Sequence, residues 1–385
     1  MLKFDRITLS GFKSIDSEGQ TVDFGDITVF IGANGAGKSN LVSFFDMIFS
    51  MAIIRLELYT NLYGSATSIL HYGPEKTKLI AAELSFSGDK ARGYYRFKLA
   101  HAAGDIFIFD DEELEIHYSG FSQPKIINLG AGHKESKLIE PGLFISETIT
   151  EPEPKDPVND RVVCNFLLEN CSVYQFNDTT LGAKIRNKCD ISDDTFMYGN
   201  AGNLVAILYA MKNNEKTNKY YNRIVSRINA VFPQFEDFVL EPSKHNPNQI
   251  ILKWKDKESQ YTFGSHQISD GTLRFMALAT LLLQPPEWLP KVIIIDEPEL
   301  GLHPTAISDL AGMVKSASRH VQVILATQSP RLVDEFEPNQ IVVVDYNDKL
   351  KRSEFNKLNE SDLAEWLDRY TLSELWDKNV IGGNP

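Results

Sequence analysis

The sequence predicts an α/β fold: a phosphate-loop core of mixed β-sheet and helices, with a β-rich and helical lobe inserted into it. Three observations predict this. A glycine-rich loop stands between an apolar strand and an amphipathic helix in the first fifty residues. Helices and strands alternate after Ser269. A long stretch of different character separates the two.

In chain order, Leu2–Leu9 alternates apolar and polar residues as a half-buried strand does, and Ile27–Ile31 is an apolar run of buried-strand type. Gly32 to Ser39 is the glycine-rich loop, and Asn40 to Ser50 has helical apolar spacing through Leu41, Phe44, Phe45 and Ile48. Short β-type segments follow at Leu79–Phe86, Tyr94–Leu99, Ile106–Phe109 and Leu114–Tyr118. The run Glu151–Pro157, rich in proline and acid, reads as the exit from an inserted lobe. Helical patterning returns at Val158–Glu169, Asn203–Lys212 and Thr217–Val231, and then a strand–turn–strand at Phe238–Leu240 and Gln249–Lys255. From Ser269 the order is helix, strand Val292–Ile295, helix, strand Val321–Ala326, helix, strand Ile341–Val344, the alternation that a parallel sheet with crossover helices requires. Sustained heptads are missing, so no long coiled coil is expected. The expected divisions are 1–55 and 265–350 for the core, 56–264 for the inserted lobe and 351–385 for a helical tail carrying Trp366 and Trp376.

Composition narrows the class. With 385 residues and 43% hydrophobic content the chain can bury a sizeable core. No apolar run is long enough to span a bilayer, and the opening Met1–Arg6 does not read as a signal peptide, so a cytoplasmic protein without a membrane partner is expected. Cys164, Cys171 and Cys189 form neither a metal-ligand pattern nor a disulfide framework. A net charge of −13 removes any global argument for wrapping nucleic acid.

The loop Gly32-Ala33-Asn34-Gly35-Ala36-Gly37-Lys38-Ser39 fits G-x-x-x-x-G-K-[ST] without a mismatch. Successive backbone N–H groups there wrap an anion, and the helix start adds partial positive charge. Asn34, Gly35, Ala36, Gly37, Lys38, Ser39 and Asn40 are therefore the expected nucleotide contacts, with Lys38 on the β- and γ-phosphates and the Ser39 hydroxyl on Mg²⁺. Val292-Ile293-Ile294-Ile295-Asp296-Glu297 supplies the remaining groups at the C-terminal end of a buried strand. Asp296 suits the Mg²⁺ shell, and Glu297 is placed to polarise an attacking water.

Three later segments carry a family resemblance. Ile268-Ser269-Asp270-Gly271-Thr272 resembles the ABC signature, Glu299-Leu300-Gly301-Leu302-His303-Pro304 the D-loop, and Leu325-Ala326-Thr327-Gln328-Ser329-Pro330 the switch strand. Together they resemble the RecF/SMC/OLD-like branch of ABC ATPases. The tail Tyr370–Trp376, ending Ile381-Gly382-Gly383, is similar to that of stand-alone ATPases such as the ATPase subunit of Septu-type antiphage defence systems. The resemblance implies an ABC-type ATPase using ATP and Mg²⁺, with Lys13 near the phosphates, Gln175 on the metal or its waters, and Ser269 and Gly271 capping a nucleotide. It also implies that the signature of one copy closes on the nucleotide of another, so a homodimer or higher oligomer is expected. His303, in the D-loop, reads as interface packing. Where most members carry a switch histidine this chain has Gln328, which cannot carry a proton charge, so slow hydrolysis is expected.

With no second catalytic motif in the chain, the favoured reading is a nucleotide-gated regulator of a separately encoded effector such as a nuclease. The alternative is a RecF-like DNA-binding maintenance ATPase, for which Lys212, Lys216, Lys219, Arg223 and Arg227 would supply a phosphate stripe. That stripe reads first as a solvated helix face.

Overall fold

The computed structural model describes residues 2–138 and 171–383 of the chain. The Glu151–Pro157 run, the helical pattern Val158–Glu169 and Cys164 lie outside the described residues. The chain divides into two units: residues 1–172, 338–369 and 375–385 form the first, and residues 173–337 with 370–374 the second.

The first unit holds a six-stranded antiparallel sheet in the order Gln20–Asp23, Lys3–Ser10, Leu79–Ser87, Ala91–Ala102, Ile106–Tyr118 and Lys125–Asn128. It also holds the strand Ile27–Ile31, parallel to Ile341–Asn347, which pairs antiparallel with Arg352–Lys357. The helix Lys38–Ala52 ties these sheets together through aromatic side chains. Phe44 stacks on Phe97 and meets Phe12 edge-on, while Phe45 meets Phe4 and Phe24. Phe24 in turn packs on Phe30, and Phe30 on Phe355. Each such ring buries a large apolar area, so this cluster is what holds the phosphate loop's strand and helix in place.

Two expectations are corrected here. Ile106–Phe109 and Leu114–Tyr118, read as separate strands, are one strand with a bulge: Lys98 faces Asp111 and Leu99 faces Phe109, leaving Asp110 as the extra residue. The residues between the two segments are acidic, and among them Glu112 is fully buried. It accepts hydrogen bonds from Tyr95 Oη (2.7 Å), Ser136 Oγ (2.5 Å) and the Lys137 amide (3.1 Å), and meets His133 Nε2 at 2.8 Å. Such a network makes a buried carboxylate tolerable. Likewise, residues 351–385, expected to be helical, open with the strand Arg352–Lys357 before the helices Glu360–Leu367 and Leu372–Asp377.

The second unit pairs the strands Val292–Asp296 and Gln322–Thr327 in parallel, all of their residues buried. Helices Leu204–Asn213, Asn218–Val231, Asp270–Leu283 and Pro304–Ala317 belong to it, as does a small sheet of Phe235–Phe238, Lys253–Asp256 and Thr262–Gly264. Beyond Thr327 the expected helix is a single turn, Pro330–Val333. Among the described residues the longest helix has 15 residues, so no long coiled coil is present, and no helix is long and apolar enough to cross a membrane.

Candidate functional site

The first unit carries the glycine-rich loop and the residues expected to meet phosphate. The strand Ile27–Ile31 is buried throughout, which delivers the loop at a fixed place on the sheet. No side chain caps the helix Lys38–Ala52, and its first turn carries no acidic residue. Its partial positive charge is thus left to an outside anion. Asn34, Gly35 and Ser39 are exposed, whereas Ala36, Gly37 and Lys38 are buried. Lys38 Nζ donates to the Gly32 and Ala33 carbonyls at 2.6 and 3.0 Å, so the ammonium is folded into the loop it serves.

A hydrogen-bond chain supports the loop from beneath. Asn40 Nδ2 donates to Ser14 Oγ (2.7 Å), the Ser14 and Ser353 hydroxyls lie 2.6 Å apart, and Ser353 Oγ donates to the Ala36 carbonyl (2.5 Å). Gly37, at φ 117°, has no room for a side chain: a Cβ there would lie 2.1 Å from Ser353 Oγ. Ser353 is fully buried and was missed by sequence reasoning, because the strand that carries it went unrecognised. Lys13 meets the helix Lys38–Ala52 at Ser43, one turn beyond Ser39. Its Nζ donates to Ser43 Oγ at 2.5 Å and lies 4.6 Å from the centre of the Tyr63 ring. Burial lowers the Lys13 ammonium's pKa, opposed by the nearby Asp46 carboxylate.

The second unit carries the carboxylates. Asp296 faces Ala326 across the parallel ladder, so the acids and the switch emerge at the same strand ends. Gln175, just beyond the strand Cys171–Tyr174, donates through Nε2 to Asp296 Oδ2 at 3.1 Å. Glu297 has φ 48°, and its amide donates to the Ala326 carbonyl at 2.8 Å. Gln328 Nε2 donates to Glu297 Oε1 at 2.6 Å, and the Gln328 amide to Glu299 Oε1 at 3.2 Å. Burial raises the Glu299 carboxyl above its ordinary range. A positive φ at a non-glycine residue is uncommon and costs of order 1 kcal/mol or more. At Glu297 it turns the carboxylate out of the strand and onto the switch amide.

The signature segment is ordered from within the same unit. Ser269 caps the helix Asp270–Leu283, its Oγ accepting from the Thr272 amide at 3.2 Å, and it is exposed. Gly271 lies against the D-loop so closely that a Cβ would sit 2.1 Å from the Gly301 carbonyl oxygen. Two arginines that sequence reasoning missed hold this arrangement. Buried Arg186 donates to the carbonyls of Thr179, Ser265 and Ile268 and pairs with Asp270 at 2.7 Å. That pairing holds the Asp270 carboxyl below its usual range. Arg274, on the signature helix, donates to the carbonyls of Phe176 (3.0 Å), Asn177 (2.8 Å) and Leu300 (3.3 Å). One guanidinium thus joins the segment after Gln175, the signature helix and the D-loop.

Other candidates are used elsewhere. His303 Nδ1 caps the helix Pro304–Ala317, accepting from the Thr305 amide. Lys212 pairs with Asp237 at 2.8 Å, Arg227 pairs with Asp309 at 2.5 Å, and Arg223 donates to Ser316 Oγ at 3.1 Å. The helix also breaks between Asn213 and Asn218, so the five basic residues form no continuous stripe. Among the described residues no group of three or more His, Cys, Asp or Glu gathers as a metal site. Within the second unit, the Asp296 carboxylate and the Gln175 amide, in contact at 3.1 Å, offer oxygen atoms of the kind that Mg²⁺ prefers.

Two protein-family models match the chain. Residues 6–136 match an AAA domain, and residues 207–334 match an AAA domain described as putative AbiEii toxin, Type IV TA system. No curated protein of related sequence was found. Among solved structures, the chain is similar to an SMC head bound to the C-winged helix domain of ScpA, with a TM-score of 0.56 at 13% identity over 93% of this chain and 99% of that one. It is equally similar to an SMC head with an extended coiled coil bound to the C-terminal domain of ScpA from Pyrococcus furiosus, with a TM-score of 0.56 at 14% identity over 96% and 99%. The chain therefore carries two segments that match AAA domains and shares its fold with SMC heads.

Proposed function

We propose that this chain binds and hydrolyses ATP with Mg²⁺, and that an ATP-closed homodimer of it controls a separately encoded effector, a nuclease in antiphage defence. The observation that carries the ATPase reading is the pair of amide–carboxylate contacts, Gln175 on Asp296 and Gln328 on Glu297. Each carboxylate is oriented by a glutamine that lies far from it in sequence. Lys38 and the Ser39 hydroxyl receive the triphosphate at the helix start. Bound Mg²⁺ would neutralise charge on the phosphates, held through Ser39, Asp296 and Gln175. Glu297 accepts a proton from the attacking water, and Gln328 fixes the carboxylate oxygen that does so. Because glutamine does not titrate, this positioning holds across the physiological pH range.

The exposed Ser269 cap supports closure between copies: its helix start presents N–H donors suited to a γ-phosphate that ADP lacks. The effector role rests on the resemblance of the tail to that of stand-alone ATPases, and on a complete ATP apparatus with no second catalytic motif in the sequence. The DNA-binding alternative is weakened by the engagement of Lys212, Arg223 and Arg227 with neighbours in their own unit.

Light-scattering mass of wild type and Glu297→Gln, each with ATP and with ADP, tests the reading. An ATP-dependent doubling, strongest in Glu297→Gln, is expected. An unchanged mass in all four samples would remove nucleotide-gated dimerisation.

A further inference from the structure

The last described residues of the tail, Gly382 and Gly383, reach the phosphate loop itself. Gly382 and Gly383 both take positive φ, 79° and 83°, and Gly383 is buried. The Gly383 amide donates to Asp345 Oδ1 at 2.7 Å. Asp345 belongs to the strand Ile341–Asn347, which runs parallel to the loop's own strand with Val343 facing Ile31. A Cβ on Gly383 would stand 2.9 Å from both Val343 Cγ1 and Trp376 Nε1, and 3.5 Å from the Cα of Gly32. Gly32 opens the phosphate loop, and on another side a Cβ there would lie 2.2 Å from the Val344 carbonyl oxygen. The first loop residue is therefore hemmed in by backbone, by Val344 of the adjacent strand and by the tail.

We propose that the tail segment Trp376–Gly383 is a positioning element of the nucleotide site, so that its docking through Gly383 and Asp345 and the binding of ATP at the phosphate loop favour one another. This rests on the ATP reading above. The physical basis is that a phosphate loop binds through the directions of its backbone N–H groups. A contact that fixes the backbone of its first residue therefore fixes part of the site. The Asp345 carboxylate makes the docking bond charge-assisted, and the two glycines are what allow the chain to lie flat against Gly32. Reciprocity follows from linkage: if the docked tail tightens ATP binding, ATP must tighten the docking by the same factor. The tail becomes a handle through which any group that grips it would lower nucleotide affinity.

The experiment uses the full chain. Hydrogen exchange of the tail peptide is measured with and without MgATP in wild type and in Lys38→Ala, and ATP affinity and turnover are measured in Gly383→Val and Asp345→Asn. Saturating ATP should slow tail exchange in wild type but not in Lys38→Ala. Both tail variants should raise the Kd and KM for ATP on the order of tenfold while moving kcat much less. A purely structural contact would leave tail exchange indifferent to ATP. Asp345→Asn keeps an acceptor and adds no bulk, so it tests the link even where Gly383→Val folds poorly. Wild-type ATP binding with tail exchange unmoved, or with both variants at wild-type affinity, overturns the proposal alone. Absence of ATP binding by wild type overturns it together with the ATPase reading.

Discussion

The two units hold their candidate residues by different means. In the first, the phosphate loop is a continuous run of eight residues whose working groups are mostly backbone N–H donors, supported by Ser14, Ser353 and Asn40. In the second, the proposed working groups are side chains drawn from three separate segments, Gln175, Asp296 with Glu297, and Gln328, while arginines hold the signature. A backbone cradle tolerates many neighbours but demands glycine at its tight points. A side-chain constellation tolerates backbone change but fails when any one partner is lost.

That contrast can be broken or sharpened by mutation. The largest effect belongs to the side-chain half. Glu297→Gln should lower kcat by roughly 10²- to 10⁴-fold with ATP affinity retained, as steady-state turnover and equilibrium binding will measure. Gln328→Ala should cost less, and the double variant should fall short of the product of the two, because both remove one oriented oxygen. Multiplicative losses would mean that the 2.6 Å contact does no shared work.

Arg274→Ala comes next, with kcat down on the order of tenfold and Arg274→Lys failing to restore it. A lysine cannot span three carbonyls on two loops as a planar fork does. Full rescue by lysine would show that only charge matters there.

The backbone half should respond more gently. Ser353→Ala removes one support of the Ala36 carbonyl, and about 1 kcal/mol of stability with a few-fold weaker ATP binding is expected from denaturation and titration. A collapse of binding would make the cradle as dependent on single side chains as the carboxylates are.

The smallest effect concerns pH. Burial raises the Glu299 carboxyl above its ordinary value of 4.5. An acid with a raised folded-state pKa contributes stability that is fully present below its unfolded value and is lost as pH climbs through the folded one. Glu299→Gln should therefore gain on wild type as pH rises above about 4.5 and Glu299 ionises, as denaturation at a series of pH values will show. Parallel stability curves across that window would show that Glu299 ionises freely.

How much was legible follows the same division. The phosphate loop and the buried strand ending at Asp296 could be read because their meaning lies in contiguous residues and the elements flanking them. Gln175 and Gln328 were named from a resemblance, but that each would donate to a particular carboxylate could not be read from spacing. Arg186, Arg274 and Ser353 were missed altogether, since nothing local distinguishes them from surface residues. The strand Arg352–Lys357 was missed for a related reason: its burial alternates, but it is short and polar, and it exists because Ile341–Asn347 offers it an edge.

The sequence by itself therefore determined the α/β class, the glycine-rich loop between strand and helix, and the carboxylates at a strand end. These depend on backbone geometry and hydrophobic periodicity within a few residues. The tertiary structure decided which amide holds which carboxylate, which arginine joins the signature to the D-loop, and that Gly383 lies against Gly32. Those contacts join residues tens to hundreds of positions apart, and their partners are chosen by packing rather than by sequence proximity.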